Sequence, residues 1–273
     1  LLELPSEEKY GLLFVHPQLG GHLDVDEVLG ELAPEIAQWE FGEDMVYQGE
    51  SVMEKRLNWK LANDTFGETY HFAKLHKNTL GRVFYGDVLH YESFKRNHRF
   101  VIATRGIDRI RELPEEKWNM LRGTSPLYFI FPNIQLSFGE TSISLIKIYP
   151  HPDGPGRSVT RVGHYATRQA LELTRTLGED HERLNPDDIY DPGLAESPYD
   201  DAPQAFSLAA QFEIFDSTIE QEDYLMGEYQ QRAAENGTLD HVVFGRNEPA
   251  LHHYHRNYRE ALGMPPLEVF EGE

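Results

Sequence analysis

The most informative part of the sequence is the run Asn58-Trp59-Lys60-Leu61-Ala62-Asn63-Asp64-Thr65-Phe66-Gly67-Glu68-Thr69-Tyr70-His71-Phe72-Ala73-Lys74-Leu75-His76. Its apolar residues recur at spacings of three and four, which predicts a helix over residues 58–76. Two histidines, His71 and His76, lie five residues apart at the end of this run. Neutral imidazoles are good ligands for iron, zinc, copper and nickel, so the pair is a candidate metal site.

The five-residue spacing of this pair does not suit a regular helix. At about 100° per residue, positions i and i+5 lie about 140° apart, so the two rings would point away from a single ion. A metal site therefore requires a π-bulge or a helix end near residues 72–75. Without that distortion, we expect one packed and one exposed histidine, because a chain with 13 histidines contains some close pairs by chance.

The other histidines give weaker signals. His252, His253 and His255 have no acidic residue beside them in the sequence, and we interpret them as part of a helix surface. The remaining eight, which include His98 and His164, carry no spacing signal. The pair in the run above is therefore the one candidate that the sequence offers for a histidine-based metal site.

The rest of the chain favours strands followed by helices. Strands are predicted at residues 10–16 (a buried strand), 44–56, 88–94, 99–105, 127–131, 134–138, 142–149 and 159–167. Residues 26–38 are interpreted as a weakly helical acidic linker, and helices are predicted at residues 202–236 and 250–262. This order predicts an α+β fold of the helix-grip (START or Bet v1-like) type. In it, a curved antiparallel sheet packs with helices on one face and encloses a cavity for an apolar ligand against the long C-terminal helix.

Composition narrows the possible functions. The 273 residues include 25 Lys and Arg against 46 Asp and Glu, a formal net charge of −21. This charge repels phosphate backbones and anionic lipid, so we expect neither nucleic-acid nor membrane binding. The absence of cysteine excludes disulfides, cysteine nucleophiles, zinc thiolate sites and a cysteine-ligated iron–sulfur cluster within this chain. The start of the chain has neither a signal-peptide pattern nor an initiator methionine, so we expect a cytoplasmic protein of which this chain is a part.

Two motifs in the opening run resemble a known family. The Asn58-Trp59-Lys60 motif and the Glu68-x-Tyr70-His71-x₄-His76 motif resemble the iron-binding helix of Rieske-type aromatic-ring-hydroxylating oxygenases, in the catalytic domain of their α (large) subunit. Weaker similarity is found at residues 9–15, 131–133 and 244–251. The resemblance touches residues 8–16 and most of residues 45–262.

The resemblance implies a set of site residues. It implies that His71, His76 and Asp223 bind one Fe(II). Asp223 is the last residue of the acidic run Glu220-Gln221-Glu222-Asp223. Glu222 is the competing carboxylate for the third ligand position. The resemblance also implies that Glu68 carries electrons between the iron and the Rieske cluster of a neighbouring subunit.

The resemblance also implies a reaction, its partners and a domain division. Dioxygenation or monooxygenation with O₂ would hydroxylate an aromatic or other apolar substrate, in a pocket lined by Phe72, Phe212 and Phe215. Electrons would come from NAD(P)H through a reductase or ferredoxin and a [2Fe–2S] Rieske cluster, in a homotrimer or an α₃β₃ assembly. Because this chain has no cysteine, we expect the cluster upstream of it. Residues 1–40 are then the tail end of a Rieske domain plus a linker, and residues 41–273 are the catalytic iron-binding domain.

Two other functions are compatible with the same residues. A metal-free binding protein of helix-grip shape would use the cavity for a hydrophobic ligand and carry out no chemistry. A zinc-dependent hydrolase would use the same two histidines and carboxylate. Metal content separates the three alternatives, because they require iron, no metal and zinc respectively.

Overall fold

The structure is a computed structural model that describes residues 2–39, 44–139, 141–177, 208–238 and 241–269. Its strands are β1 (Ser6–Lys9), β2 (Leu12–Val15), β3 (Met45–Lys55), β4 (Phe84–Phe94), β5 (Asn97–Thr104), β6 (Thr124–Ile130), β7 (Ile134–Phe138), β8 (Ser142–His151) and β9 (Gly154–Thr167). Strands β1 and β2 form a hairpin. The other seven form one antiparallel sheet in the order β3-β9-β8-β7-β6-β5-β4. The prediction of an α+β protein with a large antiparallel sheet is confirmed.

Along the chain, helices precede, separate and follow the strands of this sheet. The α-helices are Val25–Leu29, Ala33–Gln38, Trp59–Asp64, Ile107–Ile110, Met120–Gly123, Arg168–Leu177, Leu208–Thr218, Tyr224–Glu235 and Pro249–Ala261. The 3₁₀ turns are Gly30–Leu32, Tyr70–Ala73, Leu80–Arg82 and Glu115–Lys117, and a π-helical turn occupies Ile219–Asp223. The start predicted for the long helix, residue 202, lies outside the described residues. Within the described ranges, no helix has both the length and the hydropathy to cross a bilayer.

One face of the sheet is covered by the N-terminal helices. Side chains alternate between the two faces of a strand, so β6, β7 and β8 each contribute to this face. On this face, buried residues of the N-terminal helices pack against buried residues of the sheet. The helices contribute Val25, Leu29, Leu32, Ala33 and Ile36, and the strands contribute Tyr128, Ile130, Leu136, Phe138 and Ile143. The interpretation of residues 26–38 as a linker is therefore wrong, because their apolar side chains at helical spacings are core residues. The prediction that helices cover one face only is wrong for the same reason.

The opposite face of the sheet packs against the C-terminal helices. Ile146, Ile148 and Val162 contact Ile219 and Tyr224 from the helical segment 208–235. Phe129 of β6 packs against Tyr254 and Tyr258 of the last helix. A cavity of about 1180 Å³ remains between this face and the Leu208–Thr218 helix.

The hairpin strand β2 differs from its prediction. Residues 10–16 were expected to form a buried strand, but β2 alternates between partly buried and exposed side chains, and Leu13 is 69% exposed. Strand β7 has the predicted bounds, Ile134–Phe138. The last helix begins and ends one residue earlier than predicted.

Candidate metal centre

The Asn58-Trp59-Lys60 motif starts a short helix and anchors it to the sheet. The Asn58 side chain accepts a hydrogen bond from the backbone N–H of Lys60 at 2.9 Å, which caps the helix. Its amide donates to the Pro155 carbonyl in β9 at 2.7 Å. The Trp59 ring meets the Tyr258 ring edge-on, with centroids 5.2 Å apart. The motif therefore fixes where the histidine segment enters the fold.

The predicted helix over residues 58–76 ends early, at Asp64. The Gly67 N–H donates to the Asp64 carbonyl at 2.8 Å, a tight i→i+3 closure that stops the helix. A 3₁₀ turn, Tyr70–Ala73, follows, and the His71 carbonyl accepts from the Leu75 N–H at 2.8 Å. The single long helix is therefore a wrong prediction, whereas the helix end required for a metal site is present.

This irregular backbone brings the two imidazoles together. Their ring centroids are 4.8 Å apart, and Nε2 of His71 lies 3.0 Å from Nε2 of His76. Close backbone packing holds the segment, because a Cβ added at Gly81 would lie 2.6 Å from the Phe72 carbonyl oxygen and 2.9 Å from that of His76. Only glycine fits at that position without displacing the backbone between the two histidines.

The carboxylate of Asp223 completes the cluster. Its Oδ1 lies 3.1 Å from Nε2 of His76 and 3.4 Å from Nε2 of His71. Asp223 is 7% exposed and His76 is fully buried. Asp223 ends the π-helical turn Ile219–Asp223, and such turns often occur at functional sites. The sequence did not reveal this turn.

The three donor atoms fit a single metal ion. Two donors that each lie about 2.1 Å from an ion, at right angles to one another, are about 3.0 Å apart. The observed separations of 3.0, 3.1 and 3.4 Å are close to that value, so the three atoms could occupy one face of a coordination sphere. Two histidines and one carboxylate in such a face, with other positions open, suit non-haem Fe(II).

Two glutamates contact the outer nitrogens of the imidazoles. Glu68 hydrogen-bonds to Nδ1 of His71, and Glu222 lies 2.6 Å from Nδ1 of His76. Thr79 Oγ1 donates to the Glu222 carboxylate at 3.0 Å. When each Nδ1–H donates to a glutamate, each Nε2 keeps its lone pair for a metal. Glu222 and Asp223 thus contact opposite sides of the His76 ring.

The electrostatics of the cluster favour a bound cation. Burial opposes charge on His71, but its interactions with Asp223 and Glu68 outweigh burial and raise its pKa to about 9. Burial also opposes charge on His76, and there too the hydrogen bonds to Asp223 and Glu222 outweigh it and raise the pKa. The carboxylates therefore stabilise positive charge at the position where a metal ion would bind.

The cavity opens onto the cluster. Phe72, Phe212 and Phe215 line it, together with His71 and Asp223. The wall is also polar, because a group of hydroxyl side chains lines it: Thr65, Thr69, Thr104, Thr124, Ser125, Ser137, Thr141, Ser142, Ser144 and Thr218.

Sequence reasoning missed several histidine contacts. His255 pairs with Asp64 at 2.8 Å, so the His252–His255 group does have an acidic partner, from a distant part of the chain. His164 is 5% exposed and bridges Ser144 to Asp216. These contacts join residues 20 to 191 positions apart, which sequence spacing cannot reveal.

Comparison with known proteins identifies the same kind of domain. A family model described as the ring hydroxylating alpha subunit (catalytic domain) matches residues 39–264. No curated protein matches the chain.

Solved structures share the fold at low sequence identity. A quaternary ammonium Rieske monooxygenase, described for carnitine oxidation by gut microbiota and inter-subunit electron transfer, is 15% identical with a TM-score of 0.64, over 95% of this chain and 61% of that one. The same kind of enzyme, CntA, in complex with gamma-butyrobetaine is 14% identical with a TM-score of 0.60, over 94% and 60%. Dicamba monooxygenase bound to dicamba is 10% identical with a TM-score of 0.50, over 94% and 68%. The chain spans 50% to 61% of the length of the CntA chains.

Proposed function

Because the chain belongs to the ring hydroxylating alpha subunit (catalytic domain) family, we propose that it binds one Fe(II) and hydroxylates an aromatic or other apolar substrate with O₂. The proposed ligands are Nε2 of His71, Nε2 of His76 and a carboxylate oxygen of Asp223. The observation that carries this proposal is the convergence of these three atoms within 3.4 Å of one another, where two of the three residues, His71 and Asp223, line the cavity.

Each protein group has a defined task in this proposal. Ferrous iron at the open face of the three ligands would supply the activation of O₂. Glu222 orients the His76 ring and Glu68 orients the His71 ring, because each accepts from an Nδ1–H. Asp223 is preferred to Glu222 as the third ligand, because the Glu222 carboxylate contacts the outer edge of the His76 ring.

We further propose that Glu68 is the entry point for electrons. It joins a ligand histidine to the outer part of the site, where its side chain keeps 17% exposure beside the half-exposed Tyr70. One solved structure with the same fold is described for inter-subunit electron transfer, which supports transfer between subunits here. The donor would be a [2Fe–2S] Rieske cluster of a neighbouring subunit in a homotrimer or an α₃β₃ assembly.

The remaining parts of the proposal concern partners and organisation. Electrons would come from NAD(P)H through a reductase or ferredoxin, a supply that implies the cytoplasm. Residues 1–40 would be the tail end of a Rieske domain and its connection to the catalytic domain, a connection whose helices pack on the sheet. Residues 41–273 would be the catalytic domain of helix-grip type. Phe72, Phe212 and Phe215 would contact an aromatic substrate by ring packing.

Metal analysis of the purified chain tests the proposal. We expect about one iron per chain after anaerobic loading with Fe(II), and its loss in His71→Ala. His90→Ala is the control, because the His90 side chain is 66% exposed and lies outside the cluster. Absence of bound metal would support the metal-free helix-grip binding protein instead. Tightly held zinc that resists replacement by iron would support the hydrolase.

A further inference from the structure

Three polar side chains, called the relay, contact one another in series from the cavity wall outward, away from the metal cluster. Ser144 Oγ lies 2.9 Å from Nδ1 of His164, and Nε2 of His164 lies 3.0 and 3.1 Å from the two carboxylate oxygens of Asp216. Ser144 lines the cavity, whereas Asp216 and His164 line a groove on the far side of the Leu208–Thr218 helix.

The fold holds this relay tightly. Ser144 in β8 and His164 in β9 are paired in the sheet. The His164 ring stacks on Phe212 with centroids 4.3 Å apart and an interplanar angle of 16°. Phe212 and Asp216 lie four residues apart on one helix, so they hold the ring from its face and its edge. Ser144 and His164 are 7% and 5% exposed.

The contacts of the His164 ring favour one direction for the Ser144 hydroxyl. Both Asp216 carboxylate oxygens lie beside Nε2, and a carboxylate accepts, so the neutral tautomer that fits them carries its single N–H on Nε2 and donates it to Asp216. Nδ1 of His164 is then an acceptor, and the Ser144 O–H donates to it. Ser144 therefore has no proton left for the cavity and presents only oxygen lone pairs there.

Other hydroxyls on the cavity wall also donate their protons within the protein. Ser125 donates to the Phe138 carbonyl at 2.6 Å and Thr124 to the Met120 carbonyl at 2.7 Å. Thr218 donates to the Ile214 carbonyl at 2.8 Å. These three hydroxyls therefore offer the cavity oxygen lone pairs and no proton. The arginines that line the cavity, Arg109 and Arg122, belong instead to the short helices between β5 and β6.

We propose that Ser144, positioned by His164 and Asp216, recognises a hydrogen-bond donor on the substrate. The substrate class is then an apolar ring system that carries a hydroxyl or an amine N–H, rather than an unsubstituted hydrocarbon or an ether. This inference rests on the proposed oxygenase function for the fate of the substrate, but the recognition itself requires no metal. A hydrolytic role for the Ser-His-Asp set is disfavoured, because the Ser125, Thr124 and Thr218 hydroxyls donate to backbone carbonyls and so supply no donor to a developing oxyanion.

Binding to the metal-free full chain tests the proposal with two probes that share one ring system and one oxygen position. We expect 2-naphthol, which has an O–H donor, to bind about 3- to 10-fold more tightly than 2-methoxynaphthalene, as measured by calorimetry. Ser144→Ala should bind both probes equally, and Ser144→Thr, which keeps the oxygen, should restore the preference. Equal affinity of the wild type for the two probes, or no binding of either, would overturn the proposal.

A second variant separates recognition from simple bracing of the helix. Without its carboxylate partner, the His164 ring can adopt either tautomer, and one tautomer frees the Ser144 O–H to donate to the ether oxygen. Asp216→Ala should therefore improve binding of the methyl ether and reduce the ratio of the two affinities. Glu213→Gln, on the same helix and groove, should leave the ratio unchanged. Equal weakening of both probes in Asp216→Ala would mean that the relay is only structural. Because iron content is measured separately, failure of this inference leaves the metal proposal standing.

Discussion

Glu222 and His76 are joined by a 2.6 Å contact between a carboxylate oxygen and Nδ1, on the side of the ring that faces away from the metal cluster. The next residue, Asp223, approaches Nε2 on the other side of the same ring at 3.1 Å. Two adjacent acids thus have different tasks, because a π-helical turn directs them to opposite edges of one imidazole.

The two acids should therefore respond differently to neutralisation. Asp223→Asn removes a charged ligand, so we expect it to lose iron during gel filtration. Glu222→Gln removes only the group that orients His76, and a 10- to 100-fold loss of iron affinity is the usual scale for such a change. Competition with a chelator measures both. Glu220→Gln is the control, because Glu220 lies on the same turn but pairs with Lys55. Iron loss in Glu222→Gln with retention in Asp223→Asn would reverse the assignment.

The sequence predicts which residues form the candidate metal cluster better than it predicts the backbone that brings them together. His71 and His76 are found as a pair because they are close in sequence, and their i,i+5 spacing already demands a break in the helix. Glu222 could not be assigned to the outer side of His76, because a helical wheel drawn at 100° per residue does not include a π-helical turn. Ser144, His164 and Asp216 come from three separate elements, so no local pattern connects them.

The same distinction applies to the fold. Strand β7, Ile134–Phe138, is predictable because turns bound it closely on both sides. Residues 26–38 were misjudged because their acidic residues dominate the composition, whereas the spacing of Val25, Leu29, Leu32 and Ile36 is that of one helix face. Periodicity was the better guide there, and charge indicated only which side of the helices faces solvent.

The N-terminal helices should prove to be part of the fold when their core residues are truncated. Leu29 is fully buried against the sheet, so Leu29→Ala should lower the free energy of unfolding by about 2–5 kcal/mol. Val28→Ala, at a site that is 38% exposed on the same helix, should cost much less. Urea unfolding measures both. A cost for Leu29→Ala no greater than that for Val28→Ala would restore the interpretation of residues 26–38 as a linker.

Gly81 offers a way to disturb the site without changing a ligand. An alanine Cβ there would press on the carbonyl oxygens of Phe72 and His76. We therefore expect Gly81→Ala to weaken iron binding at least tenfold, because the histidines would no longer converge. Gly163→Ala is the matched control, since its Cβ would make only an ordinary contact of 3.5 Å. Unchanged iron affinity in Gly81→Ala would show that the segment adjusts freely.

The buried pair His98 and His253 should make the fold sensitive to acid. Burial, with a smaller contribution from His253, holds the pKa of His98 well below its ordinary value of 6.5, and burial also lowers the pKa of His253. Their Nδ1 atoms are 3.3 Å apart, and the His98 ring packs against Phe129 with centroids 4.9 Å apart. As the pH falls below 6.5, the unfolded chain takes up protons that the folded chain cannot accept. The stability contributed by the neutral rings is therefore complete above that pH and is lost below it.

This sign gives a measurable slope. Each such proton lowers the free energy of unfolding by about 1.4 kcal/mol per pH unit below the unfolded pKa. His98→Phe keeps an aromatic ring in the same space. It should reduce the slope of the free energy of unfolding between pH 6.5 and pH 5 by about 1.4 kcal/mol per pH unit, the contribution of one proton. His22→Gln, at a side chain that is 78% exposed, is the control variant. Urea unfolding at several pH values measures the slope, and the same slope in His98→Phe as in the wild type would mean that other groups cause the acid sensitivity.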